Sequence, residues 1–148
     1  MENYSIISKN ATIGQNVSIG RFCIIEDGVE LSDGVIVEDY SMILEGSKVG
    51  SNTKIGTYTK VGRNVVIGDD CSFTSFCEIR DECQLGKNVV MGSRGTLSAG
   101  TIVEDDVVMK YSFVVTDTPD LTKNDEKVVG LLKKGSRFGA SVVIMPAV

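Results

Sequence analysis

The chain has 148 residues, of which 42% are hydrophobic and 24% charged, and this length predicts a single domain. A formal net charge of -5 argues against nucleic acid or an anionic membrane surface as a partner. There is no run of eighteen apolar residues, and the start MENYSIISKN lacks the basic and apolar regions of a signal peptide, so we expect a cytoplasmic protein that does not bind membranes.

A hydrophobic residue occupies every sixth position from Ile7 to Val115. This period fits neither an amphipathic helix nor an alternating strand. Self-similarity at a fixed spacing is typical of a solenoid, in which each repeat buries its apolar side against the next. These anchors are Ile7, Ile13, Ile19, Ile25, Leu31, Val37, Ile43, Val49, Ile55, Val61, Ile67, Phe73, Ile79, Leu85, Met91, Leu97, Val103, Met109 and Val115.

The other positions of the hexad indicate its shape. Four residues after each anchor stands a small or β-branched residue, with Phe113 as the bulky exception, and this is predicted to be a second inward position. Glycine follows many anchors, as at Gly14 and Gly62, and is followed by polar pairs such as Arg63-Asn64. Such residues tolerate positive φ and tight turns, so each hexad is predicted to be a short strand plus a corner.

The stretches TIGQNVSIG and VGRNVVIGDDCSF resemble the bacterial hexapeptide-repeat transferases, whose pattern is aliphatic, Gly, x, x, small, x. The resemblance covers nearly the whole chain. It implies an all-β fold, a left-handed parallel β-helix with triangular coils of about eighteen residues, as one domain over residues 1–148. Its handedness comes from the resemblance alone, because the general crossover rule favours right-handed connections.

All four cysteines, Cys23, Cys71, Cys77 and Cys83, fall on the small inward position of the hexad. We expect them to be buried small hydrophobes rather than disulfides or metal ligands. The chain contains no histidine, which removes the usual zinc ligand and the commonest general base, so no metal site is expected.

Arg80 and Arg94 are predicted near the corners of adjacent coils. Two interpretations remain open for them. They are either exposed charges or anion contacts for a nucleotide or coenzyme phosphate.

The repeat breaks at Thr116 and resumes on a shifted phase at Leu132, Phe138 and Ile144. The segment between, residues 116–131, carries Pro119 and six charged residues. A solenoid tolerates such an insertion as a projecting loop, and loops on rigid scaffolds commonly carry function. The alternative is a surface loop without a role.

The region YSFVVTDTPDLTKNDEKVVGLLKKGSRFGASVVIMPAV resembles the sugar acyltransferases of this superfamily. The resemblance implies acyl transfer from a coenzyme A thioester to a sugar hydroxyl or to the amine of a nucleotide-linked amino sugar, by a homotrimer whose loop reaches a neighbouring subunit. The chain departs from the family at Thr118, where the hydroxyl-acetylating relatives carry a catalytic histidine before the loop proline. It also departs at Asp117, where amino-sugar relatives often carry asparagine. The family usually continues beyond IMPAV, so further C-terminal coils are expected to be missing.

The resemblance and the insertion together give a candidate site and a reaction. We expect an acyltransferase that uses acetyl-CoA or another acyl-CoA and acylates an amine rather than a hydroxyl, because no histidine is present to deprotonate a hydroxyl. The alternatives are a sugar O-acetyltransferase and a non-catalytic solenoid scaffold. The candidate residues are Asp117 and Thr118 for catalysis, Arg94 and Arg80 for substrate binding, and Gly139, Ala140 and Ser141 for coenzyme binding.

Overall fold

A computed structural model describes residues 3–118, 122 and 127–146. Over these residues the chain forms short parallel strands joined by turns, and it forms no helix that could span a membrane. The strands are β1 (Ile6–Ile7), β2 (Thr12–Ile13), β3 (Ser18–Ile19), β4 (Ile24–Ile25), β5 (Glu30–Leu31), β6 (Ile36–Val37), β7 (Met42–Ile43), β8 (Lys48–Val49), β9 (Lys54–Thr57), β10 (Lys60–Val61), β11 (Val66–Ile67), β12 (Ser72–Ser75), β13 (Glu78–Ile79), β14 (Gln84–Leu85), β15 (Val90–Met91), β16 (Thr96–Leu97), β17 (Ile102–Val103), β18 (Val108–Met109), β19 (Val114–Val115), β20 (Leu131–Leu132), β21 (Arg137–Phe138) and β22 (Val143–Ile144).

Every third strand belongs to the same sheet, so the chain winds around three walls. Sheet A runs β1-β4-β7-β10-β13-β16-β19-β22, sheet B runs β2-β5-β8-β11-β14-β17-β20, and sheet C runs β3-β6-β9-β12-β15-β18-β21. Partners such as Val61 and Ile79 are eighteen residues apart and pair in parallel. Each hexad therefore supplies one wall, and the predicted triangular parallel β-helix is confirmed.

The anchors form the core. From Ile25 to Val115 every anchor is buried, and the apolar residues at the inward small positions join the same cluster. Fully burying a side chain of this size contributes roughly 1.5–3 kcal/mol, so the coil-on-coil contacts are the main stabilising term of the solenoid.

Polar residues at the small inward position are buried but hydrogen-bonded. The Ser47 hydroxyl donates to the Gly62 carbonyl at 2.6 Å and accepts from the Val65 N–H at 2.9 Å. The Cys71 thiol takes the equivalent inward position at a different corner, one coil after Thr53, and donates to the Gly86 carbonyl at 3.2 Å. A hydroxyl or thiol here thus links neighbouring coils without leaving an unpaired buried group.

The four cysteines are buried as predicted, each with at most 2% of its surface exposed. Burial raises the pKa of the Cys71 and Cys77 thiols above their ordinary value, and raises the pKa of Cys83 to about 11. Desolvation disfavours a thiolate, so these groups are poor nucleophiles at neutral pH.

The glycine after an anchor is expected to provide a positive φ, and at the corners this expectation is wrong. The residue after the anchor, such as Gly62, does not adopt positive φ, whereas the residue two positions later does, as at Asn64 with φ 53°. Gly62 is needed for a different reason, because a Cβ there would lie 2.4 Å from Asp81 Oδ1 and 2.7 Å from Asp81 N. That carboxylate accepts a hydrogen bond from the Arg63 N–H at 2.9 Å, so the Asp81 side chain ties two coils together over a glycine.

Two corners of the prism carry the predicted site residues. Sheets A and B meet at the A/B corner, which holds residues 62–65, 80–83 and 98–101 in successive coils. Sheets C and A meet at the C/A corner, which holds residues 74–77 and 92–95.

The insertion lies at the A/B corner, between β19 and β20. Before it, strand partners are eighteen residues apart, and after it Val115 pairs with Ile144, twenty-nine residues away. The insertion therefore adds eleven residues, and the predicted shift of phase is confirmed by the pairs Val103 with Leu132 and Met109 with Phe138. Residues 119–121 and 123–126, which include Pro119 and belong to the predicted projecting loop, lie outside the described residues.

Candidate functional site

The two ends of the insertion meet at its base. The Val128 N–H donates to the Asp117 carbonyl at 2.9 Å, which closes the loop across the A/B corner. The Thr118 hydroxyl donates to Asp117 Oδ1 at 3.0 Å, and both residues are partly buried. The two predicted catalytic residues are thus brought together in a fixed carboxylate-hydroxyl pair.

A cavity of about 230 Å³ opens on the same corner toward the earlier coils. It is lined by Lys60, Gly62, Arg63, Glu78, Ile79, Arg80, Asp81, Ala99 and Lys127. Four of these side chains are cationic and two are anionic, so the lining carries a net charge of about +2 at neutral pH. The predicted substrate residue Arg80 lies here, and Lys127 reaches the cavity from the end of the insertion.

Asp117 does not line this cavity but lies on the next coil of the same corner. It stands two residues beyond β19, as Ala99 stands two residues beyond β16, and these two strands pair in register. Neighbouring coils are about 4.8 Å apart, so Asp117 begins one coil beyond the Ala99 wall of the cavity. The carboxylate-hydroxyl pair and the cationic cavity therefore lie on the same A/B corner, on neighbouring coils.

A larger depression of about 570 Å³ lies on this corner nearer the N terminus, lined in part by Glu26, Asp27, Glu45 and Arg63. Three carboxylates against one cation make it unsuitable for an anionic ligand. The smaller cavity is the better candidate because its charge suits an anion and it adjoins the insertion.

The remaining predicted residues lie at the other corner. Arg94 and Ser141 both adopt positive φ at the C/A corner, and Gly139 and Ala140 immediately precede Ser141. One wall of sheet A, four to five extended residues or roughly 13–17 Å, separates this corner from Asp117. Within one chain the structure therefore does not bring Arg94 or the Gly139 turn together with Asp117.

Arg94 instead ends a column of stacked rings that the sequence analysis missed. Its Cζ atom lies 5.8 Å from the centre of the Phe76 ring. The rings below stack face to face, with centroids 4.7–5.5 Å apart and interplanar angles of 5–13°. The column consists of Tyr4, Phe22, Tyr40, Tyr58 and Phe76. The signal that could have found it is an aromatic residue recurring every eighteen positions.

Among the residues that the structure describes, no three histidine, cysteine, aspartate or glutamate side chains are grouped so as to hold a metal ion.

Solved structures with this fold include several acyltransferases. LpxA, a UDP-N-acetylglucosamine acyltransferase from Bacteroides fragilis 9343, superposes with a TM-score of 0.61 at 16% identity, covering 97% of this chain and 70% of that one. A hexapeptide transferase family protein from Anaplasma phagocytophilum gives 0.52 at 18% identity, covering 92% and 74%. A variant of perosamine N-acetyltransferase from Caulobacter crescentus, solved with CoA and GDP-perosamine, gives 0.51 at 19% identity, covering 95% and 52%. This chain thus spans about half the length of the perosamine enzyme.

These similarities define the class of protein: a left-handed parallel β-helix built of hexapeptide repeats, the fold of these acyltransferases. The model of one family, described as the GMPPB C-terminal domain, matches residues 1–79, which is more than half of the 148 residues. The chain belongs to that family. A search of the curated proteins found no significant match.

Proposed function

We propose that this chain is an acyltransferase that moves an acetyl or other acyl group from an acyl-CoA to the amine of a nucleotide-linked amino sugar. The observation that carries the proposal is the A/B corner, where a hydrogen-bonded carboxylate lies one coil beyond the Ala99 end of a cation-lined cavity. The acyltransferases with the same fold, among them one solved with CoA and GDP-perosamine, support the reaction class.

The chemistry follows from the groups at the rim. The neutral amine attacks the thioester carbonyl, a C–N bond forms, and the C–S bond then breaks to release the coenzyme as a thiol. Asp117 holds the amine through Oδ2 while Thr118 occupies Oδ1, and the carboxylate or water takes the proton that the nitrogen loses. A neutral amine needs no base before it attacks, whereas a hydroxyl does, which favours N-acylation in a chain without histidine.

The residues of the C/A corner would join the site when subunits assemble. We expect a homotrimer, in which the C/A corner of one copy, with Arg94, Gly139, Ala140 and Ser141, faces the A/B corner of the next and holds the coenzyme. This arrangement would join the two groups of predicted residues that one wall separates within a chain. It would also give Arg94 a role toward the coenzyme phosphates or the developing oxyanion.

The test is a thiol-release assay with acetyl-CoA against matched pairs of nucleotide sugars that carry an amine or a hydroxyl at the same carbon. We expect release with the amine, at a rate that rises with pH along the amine's own titration and without an enzymic limb near neutrality. Asp117→Asn should lower the rate by roughly 3- to 10-fold, the effect of losing one charged positioning contact. Asp70→Asn, at an exposed corner elsewhere, is the matched control.

Each alternative predicts a distinct result. Faster acylation of the hydroxyl sugar would make the protein an O-acetyltransferase and would overturn the argument from proton transfer. Absence of thiol release with every acceptor, from a folded protein, would favour the non-catalytic scaffold.

A further inference from the structure

The four cations around the A/B cavity stand out because none of them forms an ion pair within 4 Å with a carboxylate of the described residues. In the described part of the chain, ion pairs within 4 Å join Arg21 with Asp39, Lys48 with Glu30, Lys54 with Glu38 and Lys133 with Glu104. None of these involves a cation of the cavity. Its cationic charge is therefore available to an anionic ligand.

Two lysine-glutamate register pairs, one on sheet B and one at the cavity on sheet A, differ in whether their side chains form an ion pair. Lys48 and Glu30 are register partners on sheet B, and their side chains form an ion pair of 3.3 Å. Lys60 and Glu78 are register partners on sheet A in the same way, yet they form no such pair among the described contacts. The spacing of the backbone allows the pair, so the side chains at the cavity are arranged differently from those on the plain wall.

The cavity spans three coils, which sets the size of its ligand. Lys60 and Arg63 lie on one coil, Arg80 lies on the next, and Ala99 lies on the third. With coils about 4.8 Å apart, the cations are spread over a length that suits two adjacent phosphates better than one. The net charge of the lining, about +2, also matches the two negative charges of a sugar-linked diphosphate.

Ala99 lines this cavity, and Asp117 occupies the equivalent position on the next coil. A diphosphate bound beside Arg80 and Lys127 would therefore place the group attached to it one to two coils away, about 5–10 Å, at the carboxylate. In a nucleotide sugar the sugar ring is attached directly to the diphosphate, so its amine reaches this distance. In coenzyme A a long pantetheine arm separates the diphosphate from the thioester, which would carry the acyl group well past Asp117.

We propose that the cavity lined by Lys60, Arg63, Arg80 and Lys127 binds the diphosphate of the nucleotide-linked acceptor, not that of the coenzyme. The role in acceptor selection rests on the proposed function, but the binding itself does not. The site would make the protein select nucleotide-linked amino sugars over the free sugars.

The test is calorimetric titration of the full chain with uridine diphosphate, guanosine diphosphate, inorganic pyrophosphate, inorganic phosphate and coenzyme A, without acyl donor. We expect the nucleoside diphosphates and pyrophosphate to bind more tightly than phosphate, with an affinity that falls as salt increases. Arg80→Gln and Lys60→Gln should each weaken nucleoside diphosphate binding by about 10-fold or more and leave the affinity for coenzyme A within about 2-fold. Lys48→Gln is the control for Lys60→Gln, because it removes an exposed lysine at the equivalent strand position on sheet B.

Several outcomes would overturn the proposal. One is the absence of nucleoside diphosphate binding at millimolar concentration. Another is a loss of coenzyme A affinity in Arg80→Gln with nucleoside diphosphate binding unchanged, which would assign the cavity to the coenzyme. Because ligand binding is measured without turnover, a bound diphosphate with no acyl transfer refutes only the proposed function. Acylation of free amino sugars without diphosphate binding refutes only this site.

Discussion

The aromatic column at the C/A corner should stabilise the solenoid, and Tyr40 is the position that tests it. Its ring stacks on Phe22 at 5.2 Å and on Tyr58 at 4.7 Å, and 46% of the residue is exposed. Replacing Tyr40 with alanine removes both stacks. Tyr4, which stacks on Phe22 alone and is 66% exposed, is the matched control for the loss of a single contact.

The size of the effect follows from area and stacking. About half of the ring's contact area is buried, roughly 100 Å², which at about 25 cal/mol per Å² gives an upper value near 2.5 kcal/mol. Each stack adds roughly 0.5–1.5 kcal/mol. With the stacks at the low end of this range, we expect Tyr40→Ala to lower the free energy of unfolding by about 3–4 kcal/mol. Tyr4 buries about a third of its surface and makes one stack, so Tyr4→Ala should cost about 2 kcal/mol.

The backbone at Tyr40 gives a second, independent comparison. Its φ is 61°, in the left-handed region that costs an L-residue roughly 1–2 kcal/mol and costs glycine little. Tyr40→Gly should therefore be less destabilising than Tyr40→Ala, although glycine has no side chain to pack. Tyr40→Phe keeps both stacks and should stay within about 0.5 kcal/mol of the parent chain.

The assay is equilibrium unfolding in guanidinium chloride followed by far-UV circular dichroism, at one fixed protein concentration so that any assembly affects all variants equally. A loss of unfolding free energy in Tyr40→Ala no greater than in Tyr4→Ala would contradict a stabilising role of the column. A Tyr40→Gly variant clearly less stable than Tyr40→Ala would show that the positive φ carries no cost.

Three further predictions concern the corners, the core and assembly. Gly56→Ala should prevent stable folding or cost more than about 3 kcal/mol, because the new Cβ would lie 1.6 Å from the Thr74 carbonyl oxygen; the soluble yield and thermal melt of the variant check this. Burial raises the pKa of Cys83 to about 11, so folding favours the neutral thiol over the thiolate. The free energy of unfolding should therefore be unaffected below about pH 9 and should fall by roughly 2–3 kcal/mol as the pH rises toward and beyond about 11. Cys83→Thr should remove this part of the pH dependence in denaturant titrations between pH 8 and 11, and an unchanged slope would contradict it. Light scattering at micromolar concentration should give the mass of three chains, and a monomer would rule out the shared site.

Much of the fold could be predicted because the solenoid repeats within a short stretch of sequence. An anchor every six residues and a small residue four positions later identify the inward-facing side of each wall, as Ile79 and Cys83 illustrate with their complete burial. The break at Thr116 and the new phase at Leu132 likewise predicted where the insertion lies, since any extra residues must shift all later anchors by the same amount.

The candidate site was only partly predictable. Asp117, Thr118 and Arg80 were identified from the insertion and from the resemblance, and the structure brings them to one corner. The same reasoning joined Arg94 to them, although one wall lies between. A pattern along the chain does not measure the distance between corners, which depends on which of three walls each hexad supplies.

The sequence by itself determined the repeat, the inward-facing residues, the burial of the cysteines and the position of the insertion, because each is encoded within one or two adjacent hexads. Only the tertiary structure decided which side chains come into contact between neighbouring coils. Three features depend on residues about eighteen positions apart in the chain: the glycine under the Asp81 carboxylate, the ring column around Tyr40 and the cavity cations around Lys60. Such contacts arise because three hexads close one coil and stack it about 4.8 Å from the next, and the direction each side chain takes over that gap is set by packing.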